Sequence, residues 1–140
     1  MKQSLSLLLV LMLCLYTDAQ TVNWQQSNHW KIYKIHRSGS LRFPVDSLKQ
    51  FNHVEMGDDS MHYYLQKMTI WPKDQTAVWM GAFITTCEFG QYLRKVDISV
   101  YGGFLFDEVS KQYYELPEHF RADWLDFLHR AIEQVPDKPQ

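Results

Sequence analysis

Disulfides are the first thing this sequence lacks. The chain of 140 residues has two cysteines, Cys14 and Cys87. Cys14 falls in an N-terminal apolar stretch that is expected to be removed, so Cys87 stands alone and no intramolecular bridge can form. A chain exported without disulfides must rely on its core, and about 120 residues can bury an adequate one. Long apolar runs are missing as well. Leu5–Leu15 is shorter than the roughly 20 residues that a membrane-spanning helix needs, so no membrane span is expected. Charge of one sign is also scarce: 14 Lys and Arg face 16 Asp and Glu, for a net charge of −2. That balance argues against a nucleic-acid partner, which calls for clustered Lys and Arg along the phosphate backbone.

Catalytic signatures are absent in turn. The six histidines, His29, His36, His53, His62, His119 and His129, form no H-x-H, H-x3-H or H-E-x-x-H pattern, and no Cys-x2-Cys pair accompanies them; no metal site is expected. There is no G-x-S-x-G elbow for a serine nucleophile and no Gly-x4-Gly-Lys phosphate loop after Gly102-Gly103. Asp58-Asp59 and Asp107-Glu108 are adjacent carboxylates without EF-hand spacing and read as surface turns. Thr85-Thr86-Cys87-Glu88-Phe89 resembles no nucleophile motif, and Cys87 shares a strand face with Trp79 and Phe83, so it reads as a buried, inert thiol. No catalytic residue and no cofactor are expected.

What is present begins with a three-part leader. Lys2 supplies a positive start, Leu5–Leu15 an apolar centre, and Thr17-Asp18-Ala19 a small-residue cleavage site. Residues 1–19 therefore read as a cleaved Sec-type signal peptide, and the product as secreted or periplasmic. Leu13, before Cys14, does not suit a lipoprotein signal. Residues 20–140 form a single domain, with its ordered core over 29–135. Charge is uneven within it: Lys31, Lys34, Arg37, Arg42 and Lys49 face only Asp46, whereas the segment from Asp107 onward is mainly acidic.

Periodicity then gives the elements. His29–Arg37 alternates Trp30, Ile32 and Lys34 against Lys31, Tyr33 and Ile35, as a strand does. Ser38-Gly39-Ser40 is a turn, and Val45, Leu48 and Phe51 after Pro44 suggest a short helix over Val45–Asn52. Met61–Trp71 reads as a strand with Met61, Tyr63 and Leu65 on one face. Thr76–Phe89 and Gln91–Phe106 read as two long strands joined at Gly90, with a bulge or bend at Gly102-Gly103. Within the second, Val96, Ile98 and Val100 face inward, and Lys95, Asp97 and Ser99 face water. Gln112–Leu116 folds back as a short strand. Phe120, Trp124, Leu128, Ala131 and Val135 make the apolar stripe of a helix that starts at Pro117.

The fold class that follows is α+β: an antiparallel meander of four to five strands with the C-terminal helix packed on one face, in two layers. Aromatic residues make up 15% of the chain, more than so small a core obviously needs. Trp30, Tyr64 and Trp71 are the candidates for an exposed binding patch, since Trp and Tyr favour interfaces. The expected function is an exported, non-catalytic binding module of the cell envelope, for example an inhibitor, an immunity-type protein or an assembly accessory. Its expected partner is another protein, with a glycan or small ligand as alternatives. The competing expectation is a small hydrolase or carbohydrate-active protein with a site built from His62, Asp97 or the Asp107-Glu108 turn; a third is a ligand carrier with its pocket between sheet and helix.

Overall fold

The structure, a computed structural model, describes residues 22–35, 43–77, 81–101 and 103–137. The expected signal peptide, the turn at Ser38-Gly39-Ser40, Trp79 and Gly102 lie outside the described residues. Among those described, seven strands form one antiparallel sheet. They are β1 (Ser27–Tyr33), β2 (His53–Glu55), β3 (Thr69–Ile70), β4 (Ala82–Phe89), β5 (Tyr92–Ser99), β6 (Phe104–Asp107) and β7 (Gln112–Glu115). Their spatial order is β2-β1-β4-β5-β6-β7-β3. Two α-helices, α1 (Asp58–Leu65) and α2 (Glu118–Glu133), and two 3₁₀ segments, Trp24–Gln26 and Val45–Gln50, accompany it.

The expected meander is β4 to β7, each strand pairing with the next. The strand count is larger than expected because β2, which the sequence did not suggest, adds to the edge beside β1, and because the second long strand divides into β5 and β6. The α+β class stands. Gly90, at φ 59, supplies the positive φ of the two-residue turn between Phe89 and Tyr92. The second long strand is corrected to a hairpin: β5 stops at Ser99, and β6 returns antiparallel along it. Gly103 sits at that return, where an added Cβ would lie 3.3 Å from the Arg121 guanidinium carbon. Arg121 also donates from Nε to the Leu116 carbonyl at 3.0 Å, which ties the hairpin to the start of α2.

The expected strand over Met61–Trp71 is corrected too. Asp58–Leu65 is helical, and only Thr69–Ile70 is strand. Met61 and Leu65 are four apart, a spacing that places both on one side of a strand and of a helix, so alternation could not decide between them. Asp58 and Asp59 occupy the first helical turn, where carboxylates suit the positive end of the helix dipole. The helix also carries the chain across the sheet, since β2 and β3 lie at opposite edges and α1 falls between them in sequence.

Both helices lie on one face of the sheet. Met61 and Leu65 of α1, and Trp124, Leu128 and Ala131 of α2, join Trp30, Ile32, Val96, Ile98 and Leu105 in one core. Of the stripe read from the sequence, Trp124, Leu128 and Ala131 are the buried face of α2, Phe120 is half-buried, and Val135 is buried just past the helix end. Burial of each large apolar side chain contributes about 1.5–3 kcal/mol. The opposite face has its own cover, because the 3₁₀ segment Val45–Gln50 seats Leu48 against Tyr33 and Ile84. That cover overturns the expectation of a wet face on β5: Lys95 and Asp97 are each only 2% exposed. No helix among the described residues is long and apolar enough to cross a membrane.

Candidate functional site

The three aromatic candidates do not converge. Trp30 is corrected from exposed to fully buried, its Nε1 donating to Ser27 Oγ at 2.9 Å. The β1 alternation explains this, since Trp30 shares the helix-covered face with Ile32, past an irregularity where His29 takes φ 50. Trp71 is half-buried beside β3, edge-on to Phe104 at 5.0 Å on the sheet face away from the helices. Tyr64 is half-buried between the helices, its ring 4.8 Å from Trp124 and 5.8 Å from Phe127.

The reactive groups are engaged in architecture. His62 Nε2 lies 2.6 Å from the Ser27 carbonyl oxygen, tying α1 to β1. His53, His119 and His129 rest on Tyr33, Phe120 and Phe83. Among the described residues no group of three His, Cys, Asp or Glu could hold a metal ion. Cys87 is buried in the core, and burial pushes its thiol well above the ordinary range, so it stays protonated.

Asp107 and Glu108, adjacent in sequence, belong to different clusters. Asp107 is fully buried and accepts from Arg94 Nε and Nη2 at 2.7 Å each, from the Val109 and Ser110 amides, and from the Ser110 hydroxyl. Burial alone would raise its carboxyl, but the hydrogen bonds from Arg94 and Ser110 outweigh it and hold the group low. The group organises the β6–β7 turn. Glu108 instead meets Lys95, whose Nζ lies 3.0 Å from Glu108 Oε1 and 3.1 Å from Asp97 Oδ1. The hydrogen bond from Lys95 to Asp97 is made through Oδ2 at 3.2 Å, and Oδ1 has no hydrogen-bond alignment of its own. Burial pushes the Asp97 carboxyl up to about 6; Lys95 opposes the shift and Glu108 adds to it. His62 is on the helix face and Asp97 on the other, so no one site unites them.

An open surface groove lies between α1 and α2. Asp59, Ser60, Tyr63 and Tyr64 of α1 line it with Phe127 and Arg130 of α2, around an open volume of about 380 Å³. Tyr63 is 48% exposed. Its ring is fixed edge-on to Tyr64 at 5.0 Å and to Phe120 at 6.4 Å. Lys67 Nζ lies 4.7 Å above the Tyr63 ring and 4.8 Å above the Phe120 ring, a cation–π contact with both. Burial raises the Tyr64 hydroxyl above its ordinary value, and the Asp123 charge adds to that.

Apart from Tyr64, the groove was not foreseen from the sequence. Its signal was a second stripe on each helix: Phe120, Asp123, Phe127 and Arg130 at i, i+3, i+7 and i+10 on α2, beside Ser60 and Tyr63 on α1, with Lys67 in the turn that follows. Read as a strand, Tyr63 and Tyr64 point to opposite faces and the second half of this pattern vanishes. Comparisons with protein-family models, with curated proteins and with solved structures gave no match.

Proposed function

We propose that the chain is an exported, non-catalytic binding module of the cell envelope that takes another protein on the groove between α1 and α2. The observation that carries this reading is Tyr63. It is an exposed aromatic held in one geometry by Tyr64, Phe120 and Lys67. Rigid aromatics bring large contact area at small ordering cost, which is why Tyr and Trp dominate the energetics of protein interfaces. An inhibitor, an immunity-type protein or an assembly accessory would each use such a surface. The reading is tested by parallel capture from native envelope extract with the exported chain, its Tyr63→Ala variant and a Tyr92→Ala control. Tyr92 is also exposed but lies at the β4–β5 turn. One protein should be retained in equimolar amount by the first and third baits and lost from the second. Equal retention by all three would exclude the groove as the binding surface.

A second reading, a ligand carrier with its site between sheet and helix, is favoured by one cleft. Val22, Trp24, Leu65, Met68, Ile70 and Tyr114 line an open volume of about 440 Å³ beside β3 and β7, within the range of small-molecule sites. Native mass spectrometry of the purified chain decides it: a constant added mass supports a carrier, and the bare chain mass counts against one.

A further inference from the structure

We propose that β2 is the edge through which a second copy of this chain pairs, antiparallel and two-fold about Val54, so that the two sheets continue as one. The inference is independent of the groove. β2 ends the sheet, and no strand among the described residues covers its outer side. Which groups it offers there follows from the bonds on its inner side. Met56 N–H donates to the Trp30 carbonyl at 2.8 Å, Lys34 N–H donates to the Asn52 carbonyl at 3.0 Å, and Val54 stands opposite Ile32 between them. The amide and carbonyl of one strand residue point to the same side, and successive residues alternate. Asn52, Val54 and Met56 therefore turn toward β1, and His53 and Glu55 present their N–H and C=O groups outward. Both residues are exposed. The opposite edge offers no such row, since β3 is only Thr69–Ile70 and runs into Trp71-Pro72; short edge strands and prolines are what block edge pairing.

What selects a second copy is the order of the side chains. His53 and Glu55 lie on one face of β2, with Val54 on the other. Two-fold pairing about Val54 reverses that order in the facing strand. His53 of each copy then stands opposite Glu55 of the other, in hydrogen-bonded pairs that exchange both backbone bonds. An imidazole N–H thus meets a carboxylate twice, and complementary side chains at facing positions favour pairing. The ring is already held, because His53 packs on Tyr33 at 5.3 Å. Lys31 faces Glu55 from β1, so the carboxylate would stand between Lys31 and the incoming His53. The two Val54 side chains meet on the other face, beside the apolar core against which Val54 already packs. An extended segment of other sequence would supply the backbone bonds without this match; the same chain carries it by symmetry.

The test is analytical ultracentrifugation of residues 20–140 over a concentration series reaching the millimolar range, because so short an interface binds weakly. A reversible monomer–dimer equilibrium is expected. Glu55→Pro removes an outward N–H and leaves every bond to β1, as edge strands allow. It should abolish the dimer while thermal unfolding still shows a folded chain. His53→Glu sets like charges opposite each other and should weaken dimerisation about tenfold. Adding Glu55→His to it exchanges the two side chains, restores the match and should return the wild-type affinity. Where Glu55→Pro fails to fold, that exchange decides the matter alone. A dimer indifferent to Glu55→Pro, or an exchange that fails to rescue His53→Glu, would overturn the pairing. A chain that stays monomeric throughout would overturn it too, and leave the edge to a partner of other sequence.

Discussion

Lys95, Asp97 and Glu108 show what a single strand position can conceal. Alternation assigns Lys95 and Asp97 correctly to one side of β5, opposite Val96 and Ile98. Whether that side is wet depends on what else folds over it, and Leu48 arrives from a segment some fifty residues away in the chain. With two carboxylates near one buried ammonium, a proton is retained more easily. Because the folded value of Asp97 is raised above its ordinary 3.8 to about 6, the native state binds more protons than the unfolded chain between those limits. Its contribution to stability is therefore full below about pH 4 and is lost as pH rises through about 6. Asp107, held low, acts in the opposite sense: its contribution is present above the ordinary carboxylate value and lost on acidification. Denaturant titrations of the wild type and Asp97→Asn at pH 4.5 and 7.5 isolate the first effect. The stability of the variant relative to wild type should rise by roughly 2 kcal/mol from the lower pH to the higher. Parallel stabilities at the two pH values would contradict the burial-driven shift.

The same contrast at the level of elements separates what could be read from what could not. The stripe of α2 was plain because five apolar residues repeat over four turns, and no other secondary structure has that spacing. Pro117 fixed its start, and Leu116 ahead of it is buried in the core. The meander was plain through Gly90 and the alternating β5. Eight residues of α1 were too few to separate periods of 2 and 3.6, and of the rest of that segment only Thr69–Ile70 becomes strand, as β3. Misreading α1 hid the site as well, since Tyr63 and Tyr64 meet Phe120 and Phe127 only when both elements are helices. Two substitutions test the corrected element. Met61→Ala, at a fully buried core position, should destabilise the fold by about 2–5 kcal/mol. Tyr63→Ala, two residues away and exposed, should cost no more than about 1 kcal/mol. Thermal unfolding of the two variants checks the difference; similar losses would return Met61 and Tyr63 to one face, as in a strand.

For the whole molecule, the sheet divides its labour. One face is closed by helices over an apolar core, and the other is partly closed by the 3₁₀ segment over a mixed core with an ion cluster. Charged and nucleophilic groups that invite a catalytic reading are absorbed into this architecture: His62 joins α1 to β1, Asp107 builds a turn, and Cys87 fills the core. Among the described residues, aromatics are grouped at the Tyr63 groove and, on the other face, in the strip of Trp71, Phe104, Phe106 and Tyr113. Recognition by way of the groove engages the first and leaves the second free. A hydroxyl-radical footprint of residues 20–140, alone and in complex with any protein that they retain from envelope extract, tells the two apart. Tyr63, Phe120 and Phe127 should be protected in the complex, with Trp71 and Tyr113 unchanged. Protection of Trp71 and Tyr113, with Tyr63 as reactive as in the free chain, would move recognition to the opposite face and refute the groove.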